Sequence, residues 1–253
     1  ALFPYLGQRV YLDTAAAGLC WAGHGQAVAR FFDQVKNRGI DARPEWLALT
    51  QRVRGRLAAL WGVGTDDITF VANTTEGLNL AAASLQLPAG SRVLMAADEF
   101  PSVRQAWSLA ERLSARVLPV AVPDESLRQQ ALLAALESGA EVLAVSQTHW
   151  STGTTLHLPT LSDACRRQGA LLVVDGIQAL GAVPISLQGV DVFASSFFKW
   201  MLSGFGIGVL VTSARARARM RPVFLGYANE ADPNELQYAH VNIPAMYGLD
   251  ATL

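Results

Sequence analysis

The chain has 253 residues, of which 51% are hydrophobic and 16% are charged, and its formal net charge at pH 7 is −1. This composition predicts a soluble, folded chain with a large core and argues against general disorder. A charge so close to zero excludes a global field that would recruit nucleic acid or an anionic membrane, so we expect a small-molecule partner.

Helix-like apolar spacing comes first along the chain, over Gly25–Phe32 and Glu45–Trp61. From Ile68 onward, short β-type runs alternate with helical segments, which predicts an α/β fold with a mostly parallel, seven-stranded sheet between helices. An irregular connection follows Pro222, and Met246–Leu253 is typical of the opening of another helix. The predicted strands are Ile68–Ala72, Arg92–Ala97, Ala115–Val120, Glu141–Ser146, Leu171–Asp175, Asp191–Ser195 and Ile207–Thr212. The predicted helices between strands are Thr75–Leu85, Ser102–Leu113, Leu127–Glu137 and Pro159–Gln168.

The first residues and the two cysteines bear on where the protein is located. Ala1–Leu6 lacks the basic flank and apolar segment of a signal peptide, and no apolar stretch is long enough to span a bilayer. Cys20 and Cys165 stand far apart, without metal-ligand spacing, which suits a reducing compartment. We therefore expect a cytoplasmic protein with no membrane partner and no metal site.

Polar side chains follow three of the predicted strands. Asn73–Gly77 brings two hydroxyls and free backbone N–H groups to a helix start, which suits a phosphate but is also typical of an ordinary helix cap. Asp175 ends an apolar strand, either as a functional acid or as a turn aspartate. Lys199 follows the strand Asp191–Ser195. Ligands bind beyond the carboxyl ends of parallel strands, so these residues are the candidates for a site.

Lys199 is the most informative of them, because it lies in the apolar run Phe197–Leu202, where an unpaired charge is costly. Desolvation favours the neutral amine, which is a nucleophile toward carbonyl carbon. The alternative is a lysine at a strand end whose stem packs on apolar neighbours and whose head is in water. A helix start for a phosphate, an acid for a ring nitrogen and an amine for an aldehyde together meet the needs of pyridoxal 5'-phosphate.

Four segments resemble the class V aminotransferases, which are fold type I enzymes that include cysteine desulfurases, selenocysteine lyases, kynureninases and epimerase-like enzymes. The resemblance runs from about Tyr11 to the end of the chain and implies pyridoxal 5'-phosphate as cofactor, an amino-acid substrate and a homodimer. The segments are Tyr11–Ala16, Asn73–Leu80, Val173–Gly181, and Lys199–Leu202 with Gly206–Gly208.

The resemblance also implies a role for each site residue. Lys199 would form a Schiff base with the cofactor and then move a proton at the substrate α carbon, and Asp175 would keep the cofactor's ring nitrogen protonated. The other cofactor-binding residues that it implies are Gln178 at the ring oxygen, Thr74, Thr75 and Ser196 at the phosphate, and Phe100 stacked on the ring.

Some positions depart from the family pattern. Phe198 stands where relatives often have a histidine that holds the phosphate. His149 and Trp150 follow the strand that ends at Ser146, and either could line the site, although a turn histidine without a role fits His149 equally well. His240 stands where relatives carry a Gly-Thr pair that reaches the neighbouring subunit's phosphate. It could bind there across a dimer interface or be a loop histidine.

The length of the chain bears on its domain organisation. Family members continue into a smaller domain, so we expect an N-terminal segment over residues 1–20, a cofactor-binding large domain over 21–240, and over 241–253 the start of a connection to an absent C-terminal domain. We expect the reaction on the amino acid to be a transamination, a C–S or related lyase reaction, or an epimerisation. The alternative is a truncated cofactor-binding protein without turnover, in an interaction or regulatory role. A nucleotide-dependent dehydrogenase with Gly204–Gly208 as its glycine loop fails, because these glycines precede a predicted strand.

Overall fold

A seven-stranded sheet forms the centre of the structure, a computed structural model that describes residues 1–7, 9–112 and 114–253. The strand order across the sheet is β1-β7-β6-β5-β4-β2-β3. Within the described residues, β7 alone runs opposite to the other six strands, so the predicted mostly parallel α/β sheet is confirmed. The strands are β1 (Ile68–Val71), β2 (Arg92–Ala96), β3 (Arg116–Val120), β4 (Val142–Ser146), β5 (Leu171–Asp175), β6 (Val192–Ser196) and β7 (Gly208–Thr212).

Helices cover both faces of this sheet. The first helix continues past its predicted end at Phe32 to Arg38, because its polar residues do not interrupt a helix; Gly39, with φ of 55°, follows it. The predicted helix Ser102–Leu113 ends at a residue, Leu113, that lies outside the described residues. The helices are α1 (His24–Arg38), α2 (Arg43–Trp61), α3 (Thr74–Ser84), α4 (Pro101–Arg112), α5 (Arg128–Leu136), α6 (Leu158–Gln168), α7 (Ala214–Arg217) and α8 (Ile243–Thr252).

The sheet separates two hydrophobic cores. Every residue of β4, β5, β6 and β7 is buried, as expected for strands covered on both faces. Successive side chains point to opposite faces, so Leu172 enters the core that includes Val53 of α2, whereas Val173 enters the core that includes Leu80 of α3. The apolar run of β5 was therefore a reliable signal of a central strand.

Residues near the end of the chain pack into the first of these cores. Met246 and Leu249 of α8 are fully buried, and Asp250 accepts a hydrogen bond of 2.8 Å from Arg52 of α2. The predicted division at residues 20 and 240 stays a prediction. Across the described ranges, no helix combines the length and the apolar character that crossing a bilayer requires.

The fold brings one edge of the sheet to the predicted site. β1, β2, β4, β5 and β6 all run in the same direction, so their carboxyl ends meet at that edge. Asp175 is the last residue of β5, and Thr74, Phe100, Trp150 and Lys199 lie three or four residues after the ends of β1, β2, β4 and β6. Residues that are up to 125 positions apart in the sequence are thus placed around one opening.

Candidate active site

A cavity of about 530 Å³ opens at this edge of the sheet. Lys199, Asp175 and the start of α3 at Thr74 and Thr75 line it together. The predicted residues Phe100, Gln178 and Ser196 also line it, as do Trp150 and Phe198. The amine, the buried acid and the helix start therefore share one solvent-accessible space, which is what a ligand with three different polar groups requires.

Lys199 lies in the turn just after β6 and is half-buried. Its Nζ atom is 5.9 Å from the ring centroid of Phe100 and 5.9 Å from that of Phe198. Desolvation by these surroundings lowers the pKa of Lys199, and the charge of Asp175 opposes that change. The lysine follows a strand end, as one sequence interpretation expected. Its amine is also partly removed from water, as the interpretation of a desolvated nucleophile expected.

The backbone of the lysine turn is closely constrained. Leu202 has a φ of 56°, which is uncommon for a residue other than glycine, and its N–H donates to the Lys199 carbonyl at 3.1 Å. On the other side, the Gly18 N–H donates to the Phe198 carbonyl at 2.9 Å. A Cβ atom at Gly18 would lie 2.0 Å from the Lys199 carbonyl oxygen, so only glycine permits this approach. The N-terminal segment therefore holds the turn that carries the amine.

Asp175 ends β5 with only 3% of its surface exposed. Burial, supported by the nearby charge of Glu99, raises the pKa of Asp175 to about 7, although Lys199 and a hydrogen bond of 2.9 Å from the Ile177 N–H favour its ionised form. A cationic group against this carboxylate would replace the lost solvation. The site thus favours a ligand that presents a protonated nitrogen to Asp175.

Glu99 is a buried acid that the sequence prediction missed. Its carboxylate accepts hydrogen bonds from the Ser146 N–H at 2.9 Å and from the Ser146 hydroxyl at 2.5 Å, and burial raises its pKa. Ser146 is the register partner of Asp175 across β4 and β5. The sequence feature that could have indicated Glu99 is its position shortly after β2, where functional acids occur. However, two adjacent acids such as Asp98 and Glu99 are also typical of an exposed turn before a helix.

A reciprocal pair of hydrogen bonds joins the start of α3 to the end of β6. The Thr74 N–H donates to Ser196 Oγ at 2.7 Å, and the Ser196 N–H donates to Thr74 Oγ1 at 2.8 Å. Both residues are buried, so this contact fixes the helix start relative to the lysine turn. The hydroxyls of Thr74 and Ser196, two of the three that the family resemblance places at a phosphate, lie 2.9 Å apart.

Thr75 presents the exposed side of the same helix start. Its hydroxyl lies 2.8 Å from the Ser102 hydroxyl of α4, and both residues line the cavity. Asn73 caps α3 by accepting from the Glu76 N–H at 2.9 Å, which leaves the Thr75 N–H without a hydrogen-bond partner in the described chain. Two hydroxyls, a backbone donor and the positive end of a helix dipole suit a phosphate.

Gln178 lines the cavity close to the turn that carries Lys199. Its side-chain Nε2 donates to the Ala15 carbonyl at 3.0 Å, and its Oε1 accepts from the indole N–H of Trp200 at 2.8 Å. The residue is 7% exposed. These long-range contacts bring three loops to one amide group, and no local sequence pattern indicated them.

Trp150, and not His149, lines the cavity after β4. The rings of Trp150 and Phe100 meet edge to face with centroids 5.8 Å apart, and together they form an aromatic wall. His149 is 4% exposed, and its Nδ1 lies 2.9 Å from the Thr152 hydroxyl. Its contacts place it behind the wall, where it orders the loop.

His149 also belongs to a group of side chains that resembles a metal site by proximity alone. The ligand atoms of Asp98, Glu125 and His149 lie within 4.8 Å of one another. Arg128 occupies the space between the two acids, at 2.5 Å from Asp98 and 2.7 Å from Glu125, and its hydrogen bonds lower the pKa of Glu125 to about 2. We interpret the group as a salt-bridge network that holds α5 against the loop after β2.

His240 lies outside the Lys199 cavity in this chain. It is exposed, its Nδ1 is 2.7 Å from the Tyr227 hydroxyl, and it lines a separate cavity with Gln237 and Tyr238. The suggestion that it reaches a phosphate in a neighbouring subunit stays a prediction.

Comparison with known proteins defines the family. Residues 10–253 match the family model described as Aminotransferase class-V. The chain therefore belongs to the class-V aminotransferase family, as its motifs predicted. Among its relatives, the isopenicillin N epimerase of Amycolatopsis lactamdurans is 30% identical over 244 residues, which cover 89% of this chain and 61% of the epimerase. A probable cysteine desulfurase of Methanothermobacter thermautotrophicus is 24% identical over 251 residues, which cover 96% of this chain and 63% of that protein. The chain thus spans about three fifths of the length of these relatives.

Solved structures show that the fold is fold type I. A mutant of C-DES, with glycine covalently linked to the PLP cofactor, matches 99% of this chain and 72% of its own with a TM-score of 0.89 at 22% identity. The apo cysteine desulfurase of Thermococcus onnurineus NA1 matches 99% of this chain and 68% of its own with a TM-score of 0.85, also at 22% identity. The predicted large-domain architecture is therefore confirmed.

Proposed function

We propose that the chain forms the cofactor site of a pyridoxal 5'-phosphate enzyme that acts on an amino acid. The observation that supports this most is the placement of Lys199, Asp175 and the start of α3 around one cavity. When bound, pyridoxal 5'-phosphate supplies an aldehyde that reacts with an amine and a ring that accepts electrons from the α carbon. The residues fit this group, because the partly desolvated amine, the buried acid and the helix start match its aldehyde, ring nitrogen and phosphate.

Each site residue then has a task that follows from its surroundings. Lys199 would hold the aldehyde end until the substrate's own amine takes its place. Its lowered pKa would then allow the released amine to take a proton from the substrate α carbon and to return it. Asp175 holds the ring nitrogen in its protonated form. Phe100 and Trp150 bound the flat ring and limit the access of water. Thr74, Thr75 and Ser196 hold the phosphate.

Proton transfer at the α carbon is the step that this geometry supports best. Transamination, lysis and epimerisation all begin with it, and the printed names of the relatives, epimerase, desulfurase and kynureninase, agree with such a shared step. A cofactor-binding protein without turnover is not favoured, because these relatives are named as enzymes. A cytoplasmic homodimer is a further part of the proposal, and the family resemblance supports it.

Exchange of the α proton for deuterium tests this proposal, whatever bond breaks afterwards. We expect the protein, loaded with pyridoxal 5'-phosphate in D₂O, to catalyse this exchange in at least one member of a panel of L- and D-amino acids, measured by proton NMR. Binding of the cofactor without exchange in any amino acid would instead support the binding-protein alternative. Failure to bind the cofactor at all would reject both functions.

The phosphate contacts give a second expectation. Ser196→Ala removes the hydroxyl that accepts from the Thr74 N–H and loosens the helix start. We expect affinity for pyridoxal 5'-phosphate to fall by about 10-fold, as for a lost hydrogen bond to a charged group, while affinity for pyridoxal, which has no phosphate, stays nearly constant. Fluorescence titration of both compounds measures this ratio, and the exposed Ser126→Ala is the control. Equal losses for the two compounds would show that Ser196 does not act on the phosphate.

A further inference from the structure

The orientation of one side-chain amide in the cavity is fixed by two partners of opposite character. An indole N–H can only donate, and a backbone carbonyl can only accept. The Trp200 indole lies 2.8 Å from Gln178 Oε1, and the Ala15 carbonyl lies 3.0 Å from Gln178 Nε2. If the amide rotated by 180°, two donors would face each other and so would two acceptors. Only the observed orientation satisfies both partners.

This orientation decides what Gln178 can offer to a ligand. The Nε2 group has two hydrogens, and one of them is used by Ala15. The other has no partner among residues 1–7, 9–112 and 114–253, and Gln178 lines the cavity beside Lys199 and Asp175. Ala15, the partner of Nε2, also lines the cavity, whereas Trp200, the partner of Oε1, does not, so the nitrogen end of the amide faces the cavity. The side chain therefore presents a hydrogen-bond donor there, whereas a freely rotating amide would present its oxygen as readily.

The position of Trp200 is itself held by close backbone contacts. Gly181 has a φ of 89°, and a Cβ atom there would lie 2.8 Å from the Trp200 carbonyl carbon. At the preceding residue, a Cβ atom on Gly18 would lie even closer, 2.0 Å from the Lys199 carbonyl oxygen. The indole therefore has a rigid base, so its N–H can hold the amide at little entropic cost.

We propose that Trp200 is a positioning residue that keeps Gln178 a donor toward the Lys199 cavity, and so selects a ligand with an oxygen acceptor at that place. The ligand feature that it recognises is the ring oxygen of pyridoxal 5'-phosphate, so the inference rests on the proposed function. Trp200 acts through Gln178 and is not itself a lining residue of the cavity.

Trp200→Phe tests this inference, because it keeps an aromatic ring and removes the N–H. The probes are pyridoxal 5'-phosphate and its 3-deoxy analogue, which lacks the ring oxygen. We expect the wild type to bind the first more tightly, and Trp200→Phe to reduce this preference by roughly 3- to 10-fold. In a Gln178→Leu background, Trp200→Phe should cause no further change in the preference. An unchanged preference in Trp200→Phe, or an equal loss in both backgrounds, would overturn the inference.

A matched control exists elsewhere in the chain. The Trp46 indole donates to Gln34 Oε1 at the same distance of 2.8 Å, and neither residue lines the Lys199 cavity. Trp46→Phe removes the same kind of bond and should leave the preference unchanged. NMR of the cofactor-free protein separates this inference from the proposed function: the Gln178 side-chain amide resonances should shift in Trp200→Phe and not in Trp46→Phe. If the Gln178 resonances do not shift in Trp200→Phe, the inference is overturned even if the cofactor binds. If they shift but the cofactor does not bind, only the proposed function is rejected, together with the ring oxygen as the ligand feature.

Discussion

Lys199→Ala is expected to lower the rate of α-proton exchange on the order of 1000-fold or more, because it removes both the nucleophile toward the cofactor and the proton carrier. It should also abolish the visible absorption change that accompanies cofactor binding. The fold should survive, because the side chain makes no hydrogen bond among the described residues and is only half-buried. Proton NMR of stopped reactions measures the exchange rate, and absorption spectra of the purified protein measure the change on cofactor binding. Thermal unfolding shows whether the fold is kept.

The chain supplies a well-matched control for this variant. Lys36 is the other of the chain's two lysines. It lies on α1 with 69% of its side chain exposed, and its amine is 3.2 Å from the Asp33 carboxylate. Lys36→Ala should keep both the exchange activity and the absorption change. Exchange at the wild-type rate in Lys199→Ala would show that another group moves the proton, and the assignment of Lys199 would then be wrong.

Asp175→Asn is expected to have opposite effects on stability and activity. Activity should fall on the order of 100-fold, because the amide carries no charge to hold a protonated ring nitrogen. The cofactor-free variant should be more stable than the wild type at pH 8. In the folded wild type, burial raises the pKa of Asp175 from an ordinary value of 3.8 to about 7, so the carboxylate is destabilising once it is ionised.

The pH dependence follows from the sign of this change. Between pH 3.8 and about 7, the folded protein binds the Asp175 proton more tightly than the unfolded chain, so the wild type loses stability as the pH rises through this window. The contribution is complete below pH 3.8 and gone above about 7, and at most it is roughly 4 kcal/mol of unfolding free energy. Asp175→Asn should not show this loss, so the difference between the two proteins should be small near pH 4 and largest at pH 8.

Urea unfolding of the cofactor-free proteins at several pH values measures this difference. The exposed Asp163→Asn of α6 removes the same kind of charge at the surface and should follow the wild type at each pH. Parallel curves for Asp175→Asn and the wild type would show that the carboxyl is not strained by burial, and the physical basis of the ring-nitrogen site would be lost.

Much of the fold could be predicted because local patterns determine it. The strand Leu171–Asp175 was predicted with its observed bounds, since a short apolar run with a polar end is typical of a buried parallel strand. The rule that ligands bind at the carboxyl ends of such strands then grouped Thr74, Asp175 and Lys199 before any contact was known. The structure places all of them in one cavity.

The contacts that orient the site could not be read from the sequence in the same way. Glu99 influences Asp175 because it accepts a hydrogen bond from Ser146, which two neighbouring strands bring into register with Asp175. The amide of Gln178 is fixed by Ala15, which is 163 residues distant. Such contacts depend on how loops converge in space, and neither periodicity nor spacing encodes that convergence. The choice between His149 and Trp150 was open for the same reason.

The proposed function requires that one amine of this chain, that of Lys199, hold the aldehyde of pyridoxal 5'-phosphate. The most direct test is borohydride reduction of the protein with the cofactor, followed by mass mapping of its peptides. The chain offers two lysines and an α-amino group as competing sites. If Lys199 holds the aldehyde, the cofactor's mass should appear on the Lys199 peptide at one equivalent, and Lys36 and the α-amino group should stay unmodified. Labelling of Lys36 or of the α-amino group with an unmodified Lys199 would contradict it.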